Sequence, residues 1–77
     1  MDNMIISGIL IYFPKPNEPL PTPDRTIRSF AVERTSDERC SLLAFISSRW
    51  ITLGLPTFDN PGKAIMAAVH QGKVRWR

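Results

Sequence analysis

Five of the chain's seven prolines fall within the ten residues 14–23, and this density limits how the rest of the sequence can fold. Each proline removes a backbone donor and fixes φ, so neither a helix nor the interior of a sheet tolerates such a run. We predict an extended, solvated connector with local polyproline II character between two strands. A second interpretation makes it a ligand for an aromatic-lined groove, because Pro16-Asn17-Glu18-Pro19 has PxxP spacing.

Strands are predicted on both sides of this Pro-rich loop. Residues 4–13 are β-branched and aromatic without clean alternation, which is typical of a strand covered on both faces and central in its sheet. Gly8 is expected to mark a bulge or a close backbone approach. Residues 26–34 alternate, which places Phe30 and Val32 on one face of a second strand.

Two helices are predicted further along the chain. The first covers residues 37–50, where Ser36 precedes an acidic turn and four apolar residues follow helical spacing: Leu42, Leu43, Ile46 and Trp50. The second covers residues 60–71, with Asn60 as N-cap and Pro61 in the first helical position. Its predicted core residues are Ile65, Ala68, Val69 and Met66, and Gly72 is expected to end it in a left-handed conformation.

The remaining segments complete a small mixed sheet. Residues 51–55 are predicted to be a third strand and residues 73–77, which alternate, a C-terminal edge strand. The predicted fold class is therefore α+β in the order β-β-α-β-α-β, one domain over residues 1–77 with two helices on one face. An alternative keeps residues 42–55 extended and gives a mostly β sheet covered by one helix at 60–71.

The inventory of reactive side chains is very small. One histidine, His70, and one cysteine, Cys40, leave no material for a Cys/His zinc site or an intrachain disulfide. Cys40 is expected to be a buried apolar filler in a reducing, cytoplasmic compartment, and His70 a partly exposed residue in the last helical turn. We predict no catalytic residue, metal or cofactor. A Cys40-dependent transferase or hydrolase is the enzymatic alternative.

Neither a membrane span nor a secretory signal is predicted. The apolar run from Met4 to Phe13 is about half the length of a transmembrane helix. It also lacks the basic start and the small-residue cleavage site of a signal peptide.

Charge is distributed unevenly along the chain. Residues 1–38 hold four basic and six acidic residues, whereas residues 39–77 hold six basic and one acidic residue. Such asymmetry points to an acidic partner. The Arg75-Trp76-Arg77 sequence adds the cations and the aromatic face that single-stranded nucleic acid prefers. The predicted partner-binding residues are Arg39, Arg49, Lys63, Lys73, Arg75, Trp76 and Arg77.

These observations predict a non-enzymatic binding protein that acts by contact. The favoured partner is a protein or ribonucleoprotein complex, and the chain would serve as an inhibitor or adaptor of the kind that phages and mobile elements encode. Binding of nucleic acid through the basic half is the alternative. A homodimer is a further option, because a chain of 77 residues builds only a thin core.

Overall fold

The computed structural model describes residues 1–15, 17–24, 27–35, 39–53 and 57–74. Within these ranges the chain forms one sheet and one helix, with the elements β1 (Asp2–Ile6), β2 (Ile9–Phe13), β3 (Arg28–Arg34), β4 (Cys40–Ile46), β5 (Arg49–Thr52) and α1 (Pro61–Val74). The strands lie in chain order, β1-β2-β3-β4-β5. β2 and β3 run parallel, and the other neighbouring strands are antiparallel. The predicted sheet under two helices is therefore wrong: in the described part of the chain, one helix packs on a sheet of five strands.

The apolar run at the start of the chain is a hairpin and not one central strand. It folds back at Ser7 and Gly8, whose φ angles are 53° and 76°, and Ile6 pairs with Ile9. Two positive φ values in a two-residue loop define the kind of turn that matches the twist of a hairpin. Gly8 therefore marks a turn instead of the expected bulge. Only the second half of the run, β2, is an interior strand, and the first half, β1, is an edge strand.

The helix predicted over residues 37–50 is wrong, because residues 40–52 form the β4–β5 hairpin. Leu42 and Ala44 are buried on the helix side of β4, and Leu43 is buried on the opposite side. A strand buried on both faces shows an unbroken apolar run, which helical spacing can fit equally well. The alternative of a mostly β sheet is the arrangement found. The strand expected at 51–55 begins earlier, at Arg49.

Helix α1 confirms the second helix prediction at its start. The Lys63 amide donates to Asn60 Oδ1 at 3.0 Å, so Asn60 is the N-cap, and Pro61 is the first helical residue. The helix continues to Val74, which contradicts both the predicted end at Gly72 and an edge strand beginning at residue 73. Residues 75–77 of that predicted strand lie outside the described ranges.

Gly72 serves close packing between α1 and the sheet. A Cβ at this position would lie 2.4 Å from Ile9 Cδ1 and 3.0 Å from Ile9 Cγ1, distances at which one group must move. The Arg28 guanidinium donates a hydrogen bond to the Gly72 carbonyl and so ties the last turns of the helix to β3. The glycine is needed here for its missing side chain and not for a left-handed conformation.

The core lies between α1 and one face of the sheet. It contains nine buried side chains: Ile9, Ile11, Phe30, Val32, Cys40, Leu42, Ala44, Ala64 and Ala68. Cys40 is 2% exposed, which confirms the prediction of an apolar filler. Ala68 was expected in the core, whereas Met66 is 75% exposed and does not face it. Phe30 and Val32 share one face of β3, as predicted, and the structure shows that this face meets α1.

The opposite face of the sheet carries an aromatic group under the proline connector. The Trp50 ring lies 6.1 Å from the Tyr12 ring at a T-shaped angle of 80°, and 5.2 Å from the Phe45 ring. Trp50 Nε1 donates to the Pro21 carbonyl at 2.8 Å, and Pro23 is buried. The connector joins two strands as predicted, but it packs on the sheet and is only partly solvated.

Candidate binding surfaces

The predicted partner-binding residues are spread over several elements. Arg39 precedes β4 and is half-buried, Arg49 is the exposed first residue of β5, and Lys63 is exposed in the first turn of α1. Lys73 belongs to the last turn of the same helix, about 15 Å from Lys63 along the axis. The other three, Arg75, Trp76 and Arg77, lie outside the described residues. Of this set, the structure brings together Arg39 and Lys63.

Arg39 uses its guanidinium to hold the segment that leads into α1. Nε donates to Thr57 Oγ1 at 2.5 Å, Nη2 to the Thr57 carbonyl at 3.0 Å and Nη1 to Asp59 Oδ1 at 2.8 Å. Two backbone hydrogen bonds between Cys40 and Phe58, of 2.9 and 2.7 Å, keep this segment beside β4. The planar fork of Arg39 is thus already engaged within the chain.

Asp59 lies between the two basic side chains. Lys63 Nζ is 3.3 Å from Asp59 Oδ2, and Arg39 Nη1 is 2.8 Å from Oδ1. The hydrogen bond and the charge of Lys63, followed by the charge of Arg39, lower the pKa of Asp59 below its ordinary value. The carboxylate offsets one of the two positive charges. An anionic partner would meet a net charge of about +1 from these three groups and not +2.

The solvent-facing side of α1 presents an apolar side chain between polar ones. Lys63, Met66 and His70 follow i, i+3, i+7 spacing and are all exposed, and we call these three residues the outer strip. Ala64 and Ala68 are fully buried on the opposite side of the helix. Met66, at 75% exposure, is the most exposed of the large apolar side chains described. Methionine is adaptable in shape and is frequently used at binding surfaces.

The two residues considered for catalysis lie in different environments. Cys40 is buried in the core, and His70 is exposed on α1. At 2% exposure, Cys40 is closed to a substrate unless the core around it opens. Among the described residues no group of three or more His, Cys, Asp or Glu side chains is placed to hold a metal ion.

Sequence reasoning missed one surface, the edge strand β1. All five of its residues are exposed, and three of them are apolar: Met4, Ile5 and Ile6, at 37%, 65% and 37% exposure. The prediction of a single covered strand placed these side chains in the interior. The signal that could have revealed them is the Ser7-Gly8 dipeptide, a turn sequence between the apolar runs Met4–Ile6 and Ile9–Phe13.

Comparison with known families, with curated proteins and with solved structures gives no match. Along the described ranges, α1 is the one helix, and it is too short and too polar to cross a membrane.

Proposed function

We propose that this chain is a non-enzymatic binding protein whose outer strip contacts a protein or a ribonucleoprotein complex. The observation that carries the proposal is Met66, which projects into solvent between Lys63 and His70. An exposed apolar side chain on a helix face that also carries a lysine offers both a contact to desolvate and a charge to orient the partner. Single exposed apolar residues are common, so the proposal depends on the combination and not on Met66 alone.

The partner surface that fits the outer strip is acidic around an apolar depression. The carboxyl-terminal half of the chain is strongly basic, so long-range attraction would favour encounter with an acidic surface. A protein of 8.7 kDa that binds without chemistry acts by occluding a site or by bridging two proteins. We therefore propose an inhibitor or adaptor role, of the kind that phage and mobile-element proteins fulfil. The cytoplasm is the proposed compartment, because it keeps the Cys40 thiol reduced.

The test is affinity capture from the native host with nuclease-treated and untreated extracts. Three chains are compared: the parent, Met66→Glu, and Arg34→Glu as a control at an exposed position of β3. We expect the parent and Arg34→Glu to retain the same nuclease-resistant protein and Met66→Glu to lose it by tenfold or more, with unchanged melting temperatures. Equal capture by all three chains would place the contact elsewhere.

Nucleic-acid binding is the second candidate function, and the net charge of the basic half favours it. Among the predicted partner-binding residues that the structure describes, Arg49 and Lys63 are exposed, while Arg39 is engaged with Thr57 and Asp59. Binding to phosphates weakens steeply as salt rises, because condensed counterions are released on association. A titration of single-stranded and duplex oligonucleotides against salt therefore separates the candidates. Absence of binding at low salt would exclude this one.

A further inference from the structure

The outer edge of β1 lacks the features that keep edge strands from pairing. Its pairing with β2 is continuous from Asp2–Phe13 to Ile6–Ile9, so the strand contains no bulge. No lysine, arginine or proline interrupts it, and its one charged side chain is Asp2, at its first position. Exposed edges of natural proteins usually carry a basic residue, a proline, a bulge or a covering segment. Among the described residues, only β2 pairs with β1.

The hairpin geometry determines which backbone groups face this edge. The pair that closes a two-residue loop exchanges both of its N–H···O bonds, and such pairs alternate with pairs that exchange none. Ile6 closes the loop with Ile9, so Ile6, Met4 and Asp2 direct their backbone groups toward β2. Asn3 and Ile5 consequently direct their N–H and C=O groups toward the open edge. These two residues are placed symmetrically about Met4.

We propose that a second copy of this chain pairs with β1 in antiparallel fashion, with the twofold axis at Met4. In that register Asn3 pairs with Ile5 of the second copy and Ile5 with Asn3 of the second copy. Each pair exchanges two backbone hydrogen bonds, four in total, and the two sheets become one of ten strands. The outward groups lie symmetrically about Met4, so the edge can pair with a copy of itself, and that contact covers the exposed Met4, Ile5 and Ile6 side chains of both copies at once.

Side chains on both faces support the same arrangement. Met4 and Ile6 stand opposite Ile11 and Ile9, on the side that α1 covers. Pairing would bring the two Met4 side chains together across the axis. Ile5, which lies on the other side of the sheet and is 65% exposed, would lose much of that exposure beside Asn3 of the second copy. Burial of these apolar groups adds to a core that is small for one chain.

The opposite edge of the sheet differs, so assembly stops at two copies. β5 has only four residues, its first is the exposed Arg49, and its Trp50 is hydrogen-bonded to the Pro21 carbonyl. A contact between two identical edges is isologous and closes, whereas β1 pairing with β5 would extend into a filament. The dimer does not involve the outer strip on α1 and is expected whether or not the proposed partner exists.

The first test measures molar mass by sedimentation equilibrium over a range of chain concentrations up to about 1 mM. For the parent chain we expect the mass to rise toward twice the 8.7 kDa of one copy. Ile5→Glu should remain at 8.7 kDa, and the control Ile46→Glu, which alters another exposed apolar residue, should behave as the parent. Circular dichroism confirms that each variant is folded. A monomeric parent, or a dimeric Ile5→Glu, would overturn the proposal.

The second test measures the register with one introduced cysteine per variant, in a background where the chain's own Cys40 is replaced by alanine. Met4 and Ile6 have the same exposure and lie on the same face, so Met4→Cys and Ile6→Cys are a matched pair. At the axis the two Met4 Cα atoms would be about 4.5 Å apart, within the range of a disulfide. The two Ile6 residues would be four positions out of register, about 13 Å apart. We expect mild oxidation to link Met4→Cys and not Ile6→Cys; equal linking of both, or of neither, would exclude this register.

Discussion

The indole N–H of Trp50 donates a hydrogen bond to the carbonyl oxygen of Pro21, 2.8 Å away, and thereby holds the proline connector on the sheet. The two residues are separated by 29 positions, so this bond joins the middle of the connector to the edge strand β5. It explains how a segment with five prolines in ten residues is fixed without regular structure of its own. Its donor, a half-buried indole, also packs on Tyr12 and Phe45.

Trp50→Phe should destabilise the protein by about 1–2 kcal/mol, because it removes one hydrogen bond and part of the ring while the aromatic contacts are largely retained. Equilibrium urea denaturation followed by circular dichroism measures the change. Limited proteolysis should also cut segment 14–23 faster in the variant. Phe45→Leu is the control, since it alters the aromatic group and leaves the Pro21 bond in place. Unchanged stability and unchanged cleavage in Trp50→Phe would show that the bond does not hold the connector.

Gly72→Ala should destabilise the protein although alanine is the better helix former. The gain in helix propensity is about 1 kcal/mol, whereas crowding against the buried Ile9 side chain costs about 1–3 kcal/mol. Ile9→Val removes Cδ1, the atom that a new Cβ would meet at 2.4 Å. The double variant should therefore be more stable than the sum of the two single effects. Strict additivity in a double-mutant cycle would contradict the close approach of helix and sheet.

Ser48→Gly should stabilise the protein by about 1 kcal/mol, because Ser48 has a φ of 66° and a left-handed backbone is unfavourable for residues with a Cβ. The β1–β2 turn already has glycine at the corresponding position, Gly8. Ser41→Gly is the matched control within β4, where the same change should destabilise. A thermal melt compares the variants. A loss of stability in Ser48→Gly would mean that its hydroxyl has a role that outweighs the backbone strain.

Asp59→Asn should lower the free energy of unfolding at neutral pH and have no such effect in strong acid. Lys63 and Arg39 lower the pKa of Asp59 below its ordinary 3.8 in the folded chain. The stabilisation is therefore complete above that value and is lost as pH falls through the lower folded pKa. Denaturation measured across this pH window, at low and high salt, checks the prediction. The difference should shrink at high salt, since Asp59 is exposed. A difference independent of pH would contradict the ion pairs.

The parts of the fold that local chemistry determines were predictable. Asn60 and Pro61 predict the start of α1 correctly. The alternation around Phe30 and Val32 predicts β3 and the face that these two residues share. The end of α1 could not be predicted, because a glycine at position 72 locally indicates a helix end. Its actual role depends on Ile9, which is distant in sequence and which no local pattern connects to it.

The error over residues 37–50 has a tertiary cause. Leu42 lies on the side of β4 that α1 covers, and Leu43 is buried on the opposite side of the sheet. Two-sided burial removes the alternation by which a strand is recognised. Charge alone made both Lys63 and Arg39 candidates for partner binding, but the engagement of Arg39 with Thr57 and Asp59 depends on a contact that only the folded chain creates. The exposed edge of β1 likewise depends on the hairpin turn at Ser7 and Gly8.

The most direct test of the proposed contact surface is a ¹⁵N amide spectrum of the labelled protein, recorded as its captured protein partner is added. We expect shifts or line broadening centred on Lys63, Met66 and His70, with the amides of β3 little changed. Salt should affect the rate of association more than the set of residues that respond. If the amides of α1 stay unchanged while another surface responds, the outer strip is not the site of contact.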